Sequence, residues 1–304
     1  LFRPKIQPSL LPIFGPSLLK DFIIKKIRMR KYIIGKIKQY LDNYEIMYPP
    51  ARVPFENDLP YLKAEFLHLM SDPQLQKKPM YIWGCLQGAA LAKSLGYKSI
   101  SFLEFGVAAG SGLKVIDKLA AILSEQLQMD IEVYGFDTGK GMPKPADYRD
   151  LPNLFSDGEY NMNFDQLAKS LKKSKLQIGL IEDTIPAFHK SNFAPIAFVS
   201  MDLDYYSSTC DALKIFSTDA AHMLPRVFCY FDDVFIRSYC QFNGPNLAID
   251  EYNATNAKHK IGRIYGLRYF LPFKNWNWPE SVYYHHSFEH PKYNDREFVG
   301  VYHS

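Results

Sequence analysis

The chain predicts an α/β fold: a mostly parallel seven-stranded sheet flanked by helices, with an antiparallel pair of strands at its C-terminal edge. Three observations carry this. From residue 99 onward, short apolar runs of strand length alternate with amphipathic stretches of helical period. A glycine-rich segment, Gly106 to Gly112, joins the first such strand to its helix. The last two apolar runs are separated by only a short link, which suits antiparallel rather than crossover pairing. With 304 residues and 47% apolar content, the chain has the means to bury one large core.

The elements follow in order. Residues 1–40 hold ten Lys or Arg against the single Asp21, so a net charge of +4 conceals a remainder at −5. Over 22–41, Ile23, Ile27, Ile34, Ile37 and Leu41 fall on one helical face between basic residues. A basic helical extension over 1–58 is expected, docking on its own domain or a partner subunit. Peripheral membrane contact through 20–41 is the weaker alternative. Pro49, Pro50 and Pro54 mark a connector, and the main domain is expected over 59–304. Helical patterns run over 60–71 and 80–96. Strands are expected at 99–105, 131–136, 176–181, 195–201 and 226–231, with helices at 112–128, 163–173, 184–190 and 208–223. The closing strands are expected at 261–271 and 281–287. The stretch 139–160, rich in Pro and Gly, is too long for an ordinary connector and reads as a lid or substrate wall.

Composition excludes several classes. Cys85, Cys210, Cys229 and Cys240 form no zinc-like spacing and no disulfide framework. No apolar run reaches the roughly 18 residues of a membrane span. Pro12, Gly15 and Pro16 interrupt the apolar stretch 10–19 and argue against a signal peptide. A reducing, cytoplasmic setting is expected.

Two strand ends carry paired acids: Asp202 and Asp204 after the fourth strand, Asp232 and Asp233 after the fifth. Side chains two apart on a strand share a face, so Asp202 and Asp204 are expected to address one site, with Asp232 and Asp233 turned toward it. Four carboxylates at one sheet edge repel one another, and a hard divalent cation such as Mg2+ relieves that. The competing reading is of solvated strand-end acids or helix caps, which suffices for one pair but not for two at consecutive strand ends. Near the first strand end, the spacing of Gly106, Gly110 and Gly112 departs from a dinucleotide fingerprint, and the preceding acid, Glu104, suits a cationic amino-acid group better than a pyrophosphate. Asp137 closes the second strand, where acids accept hydrogen bonds from ribose hydroxyls.

These residues resemble the class I S-adenosylmethionine-dependent methyltransferases, whose fold is Rossmann-like. Residues 179–186, 201–209 and 231–233, together with 248–253, narrow the resemblance to the macrocin O-methyltransferase family, which methylates sugar hydroxyls of natural products. The resemblance implies that Glu104, Gly106, Gly110, Ser111 and Asp137 contact S-adenosylmethionine, with Glu182 and Asp183 near its adenosine and Asp202 bordering it. It also implies a Mg2+ ion, or another divalent cation, on Asp202, Asp232 and Asp233, with Asp204 as catalytic base. The expected partner is a hydroxylated, sugar-containing small molecule, and the expected assembly a homo-oligomer. A catechol or phenol acceptor is the alternative within enzymes. Outside them stands a non-catalytic cofactor-binding protein that uses its basic N-terminus on nucleic acid or membrane. Nucleic acid is disfavoured as substrate, because Asp202 to Tyr205 occupies the place of the Asn-Pro-Pro-Tyr motif of base amino-group methylation. His189 is a rival base, although a lone His of this kind is usually packed. His285, His286 and His290 with Glu289 read as structural, in an edge strand and turn. Tyr205 and Tyr206 line the acceptor pocket or simply pack.

Overall fold

The computed structural model describes residues 59–235, 238–271 and 276–295. The expected extension over 1–58, including the basic face at 20–41, lies outside the described residues.

Two helices, α1 (Leu59–Leu69) and α2 (Pro79–Ser94), precede strand β1 (Ser99–Phe105). The chain continues through α3 (Ser111–Leu127), β2 (Asp130–Asp137), α4 (Phe164–Ser170), β3 (Ser174–Ile178), α5 (Ile181–His189), β4 (Ile196–Met201) and α6 (Tyr206–Leu213). It closes with β5 (Met223–Phe231), α7 (Gly244–Thr255), β6 (His259–Arg263), α8 (Leu267–Phe270) and β7 (Val282–Ser287). The seven strands form one sheet in the order β3-β2-β1-β4-β5-β7-β6. β1 to β5 are mutually parallel, and β7 pairs antiparallel with both β5 and β6. This is the predicted Rossmann-like class I methyltransferase fold.

Both faces of β1 and β4 are buried, which explains why these strands read as unbroken apolar runs. Helix α2 lies directly on β4. A Cβ at Gly84 would overlap the Phe198 ring, and one at Gly88 would sit 2.7 Å from the Ala197 carbonyl oxygen, so the two glycines one turn apart permit the close approach.

Several expectations shift. The helix predicted over 208–223 ends at Leu213 and is followed by two 3-10 turns, the second of them, Ala220–His222, opened by the Asp219 side chain accepting from the Ala221 amide. The strand predicted over 261–271 ends at Arg263; Gly266, at φ 81°, redirects the chain into α8. Gly179, at φ 147°, ends β3 earlier than predicted. β5 begins earlier, at Met223, and the register with β4 shifts across the stretch holding Pro225, which has no amide to donate. β7 is not an edge strand, since β6 covers it.

Candidate active site

The parallel strands deliver their carboxyl ends to one edge, where Glu104, Asp137, Asp202, Asp204, Asp232 and Asp233 lie, whereas Glu289, after the antiparallel β7, does not. β4 ends at Met201, so Asp202 and Asp204 are loop residues and the strand alternation expected to align them does not apply. A tight three-residue turn intervenes instead: Tyr205 N–H donates to Leu203 O at 2.5 Å, with Asp204 between them at φ 58°. Asp is among the few side chains that tolerate this left-handed backbone, and strain of this kind clusters at functional sites.

Asp232 and Asp233 follow β5 in a turn. Carboxylate oxygens of Asp202, Asp232 and Asp233 all lie within 4.8 Å of one another, a grouping able to hold a metal ion. Asp204 is outside that group but tied to it: its backbone N–H donates to Asp233 Oδ2 at 3.1 Å, and Tyr239 O–H donates to its Oδ1 at 3.2 Å. Tyr230 O–H donates to Asp232 Oδ1 at 2.6 Å. Burial, together with repulsion from Asp232, pushes the Asp202 carboxyl up to about 7, while the Lys78 ammonium 3.7 Å away opposes the rise. Burial and the three neighbouring carboxylates push Asp233 well above the usual carboxylate range. Asp204 is also raised, by burial first, with its hydrogen bonds to Asp233 and Tyr239 pulling the other way. The donor set is all oxygen, crowded and short of positive charge, and therefore fits a hard divalent cation.

At the end of β1 the chain enters a glycine-rich turn that only glycine can make. Gly106 has φ 83°, and a Cβ there would collide with the Asp202 carbonyl oxygen, so the β1 and β4 loops touch backbone to backbone. Gly110 starts α3 at φ 78°. Ser111 is exposed at the first position of that helix. Gly112 leaves room for Glu104 and Tyr81, whose atoms occupy the place of its missing Cβ.

Glu104 is 2% exposed; its Oε1 accepts from Tyr81 O–H at 2.8 Å, and Tyr81 in turn accepts from Ser200 O–H at 2.8 Å. Its Oε2 has no partner. Burial pushes this carboxyl up to about 8. An acceptor left bare inside the protein is costly unless a donor arrives, and a cationic cofactor group supplies one. Asp137 is engaged differently from the expectation of a free ribose acceptor. Its Oδ2 accepts from the amides of Val107 and Ala108, both at 2.9 Å, and its Oδ1 from Gly139 at 2.7 Å. A carboxylate has about four lone-pair sites, so one remains for a ribose hydroxyl while the others fix the turn. Glu182 and Asp183 are exposed in the first turn of α5, next to the Gly179 amide that donates to Asp137 O.

The loop over 139–160 is bolted to the site. Its base is closed by Met142 N–H to Glu159 O and Gly158 N–H to Met142 O. Its buried Asp150 accepts from Ser207 N–H at 2.8 Å and Ser207 O–H at 2.9 Å, capping α6 from outside the helix. At the end of the loop, burial first and then the charges of Asp204, Glu159, Asp233 and Asp202 raise the Tyr160 hydroxyl above its ordinary value.

The histidines take structural roles. His189 Nε2 meets Ile215 O at 3.2 Å. His285 is buried, stacked on Phe216 and bonded to Tyr252, and desolvation drives its pKa well below the ordinary value. Tyr205 is fully buried and packs on Phe155, whereas Tyr206 bonds Glu251 and carries Arg149 over its ring. Reasoning from sequence missed Lys78, Tyr81, Asp150, Tyr230 and Tyr239. For the first two a signal existed: a helix leading straight into β1 must start at the edge where β1 ends.

Residues 99–264 match the family described as Macrocin-O-methyltransferase (TylF). The chain belongs to this family. Membership makes it an S-adenosylmethionine-dependent O-methyltransferase, in keeping with the fold and the bare Glu104 carboxyl. Among curated proteins no match was found. Solved structures similar to the chain include CalS11, described as a calicheamicin methyltransferase, with 19% identity over 64% of this chain and 83% of that chain at TM-score 0.43. An apo structure of CalS11, described as a TDP-rhamnose 3'-O-methyltransferase, has 18% identity over 76% and 90% at TM-score 0.39. The O-methyltransferase TomG from Streptomyces achromogenes, involved in tomaymycin synthesis, has 12% identity over 68% and 91% at TM-score 0.36. Among the described residues, no helix is long and apolar enough to cross a membrane.

Proposed function

We propose that this family member transfers the methyl group of S-adenosylmethionine to a sugar hydroxyl of a small glycosylated acceptor, in a reaction that depends on a divalent cation held by Asp202, Asp232 and Asp233. The observation that carries the reading is the convergence of those three carboxylates, with Asp204 held next to them but outside their group. The acceptor class rests on the resemblance to a family that methylates sugar hydroxyls of natural products.

The sulfonium methyl donor is already activated, so the protein must align an acceptor oxygen and lower its proton affinity. A divalent cation bound at the three aspartates would supply the second effect. Asp204 then takes the proton, held in place by its amide on Asp233 and by Tyr239. Gly106, Gly110, Ser111 and Asp137 form the cofactor cradle, with Glu104 facing the cationic amino-acid end and Glu182 and Asp183 on the adenosine side. The loop over 139–160, anchored by Asp150 and ending at exposed Tyr160, forms a wall of the acceptor site.

Methyl transfer assayed on a panel of glycosides and catechols, with and without chelator, tests the proposal. Turnover of glycosides, its loss in chelator and its recovery with Mg2+ are the expected results. Full activity in chelator refutes the metal reading, and preference for catechols refutes the sugar acceptor.

A further inference from the structure

Lys78 immediately precedes α2. The Tyr81 contact with Glu104 and the 3.7 Å approach of Lys78 to Asp202 bring the start of this helix to the cofactor edge of the sheet. No side chain caps the helix, and Pro79 opens it. Pro79 has no amide and the Tyr81 and Ile82 amides donate to Lys78 O, so what the helix start adds beside the Lys78 ammonium is the positive end of its dipole. The Tyr81 hydroxyl bonds buried Glu104, whose Oε2 is unpartnered. The site thus has one group that attracts an anion and one that attracts a cation, both in contact with the same tyrosine. An α-amino acid zwitterion carries both charges.

We propose that Lys78, at the amino end of α2, binds the carboxylate of the cofactor's amino-acid moiety while Glu104 binds its ammonium. This rests on S-adenosylmethionine as the cofactor and is independent of the metal and of the acceptor. The alternative role for Lys78 is as partner to Asp202. Their separation of 3.7 Å exceeds a hydrogen bond, and both side chains are about a quarter exposed, 23% and 29%, so the pair is loose and Lys78 is available to a better-placed anion. The Lys78 ammonium also lies 5.2 Å from the centroid of the Tyr81 ring, the same ring whose hydroxyl bonds Glu104.

The test is calorimetric binding, in chelator and without acceptor, of S-adenosylmethionine and of its decarboxylated analogue, which keeps the sulfonium and the ammonium. Wild-type protein is expected to prefer the carboxylated ligand by about 10- to 100-fold, the worth of one charge-assisted hydrogen bond. Lys78→Met is expected to abolish that preference while leaving affinity for the decarboxylated ligand unchanged, and Lys78→Arg to retain most of it. Glu104→Gln is expected to weaken both ligands alike, because both carry the ammonium. A Lys78→Met protein that keeps the preference, or that loses both ligands equally, overturns the proposal. A wild type that binds neither ligand instead refutes the cofactor site on which the proposal rests.

Discussion

Glu104→Gln removes a buried carboxyl that the fold holds out of its ordinary protonation range, and the consequence can be worked out from the site. Glu104 is fully enclosed, has one hydrogen-bond donor in Tyr81 and one bare oxygen, and has its pKa raised from 4.5 to about 8. In the unfolded chain it ionises near 4.5. A carboxyl raised in the folded state contributes stability that is fully present below pH 4.5 and is lost as pH rises through about 8. A rise of that size is worth on the order of 5 kcal/mol, an upper bound because the surroundings relax when the charge appears. Gln at this position stays neutral throughout. The wild type should therefore lose stability relative to Glu104→Gln by a few kcal/mol between pH 5 and pH 8. Urea unfolding of both proteins in chelator, without cofactor, at several pH values in that window measures the difference. The same carboxyl should release close to one proton at pH 7 when a ligand with an ammonium binds, visible as a dependence of calorimetric heat on the ionisation enthalpy of the buffer. Parallel pH profiles for the two proteins, with no proton release by the wild type, would refute the reasoning.

Other outcomes follow from neighbouring parts of the site. Asp204→Asn should keep cofactor affinity and lower kcat by about 10²- to 10⁴-fold, whereas Asp204→Gly, relieved of its positive φ, should be slightly more stable in urea yet equally slow. Asp150→Ala leaves the Ser207 amide uncapped and should cost about 1–3 kcal/mol, with faster proteolysis within 139–160 as a second readout. Gly106→Ala combines a collision with the Asp202 carbonyl and a left-handed backbone, so cofactor binding should disappear from calorimetry, whether through local distortion or through loss of the fold.

The sheet was legible in the sequence because parallel strands buried on both faces leave continuous apolar runs, and β1, β2 and β4 fall within a residue or two of their expected limits. The elements misjudged are those governed by local turns: the two 3-10 turns that replace the end of α6, one of them capped by Asp219, and Gly266, which redirects the chain after β6. The acids are visible in the sequence as strand-end pairs, but the strand periodicity that would align them ends at Met201. The three-residue turn at Asp204 brings about the arrangement instead. Asp137 was read as a ribose acceptor from its position. Only the three-dimensional structure reveals that it also fastens the glycine-rich turn through Val107 and Ala108. Lys78, Tyr81 and Asp150 are ordinary residues in sequence, and they acquire a role only through contacts made across 23 to 124 positions of chain.

Metal-dependent transfer requires that Asp202, Asp232 and Asp233 hold a cation. Titration of the protein with Mn2+ followed by electron paramagnetic resonance counts bound ions directly and requires no acceptor. One ion per chain in the wild type, lost in Asp232→Asn and in Asp233→Asn and retained in Asp204→Asn, is the predicted result. No stoichiometric ion in the wild type, or an ion that survives both substitutions, would contradict the account.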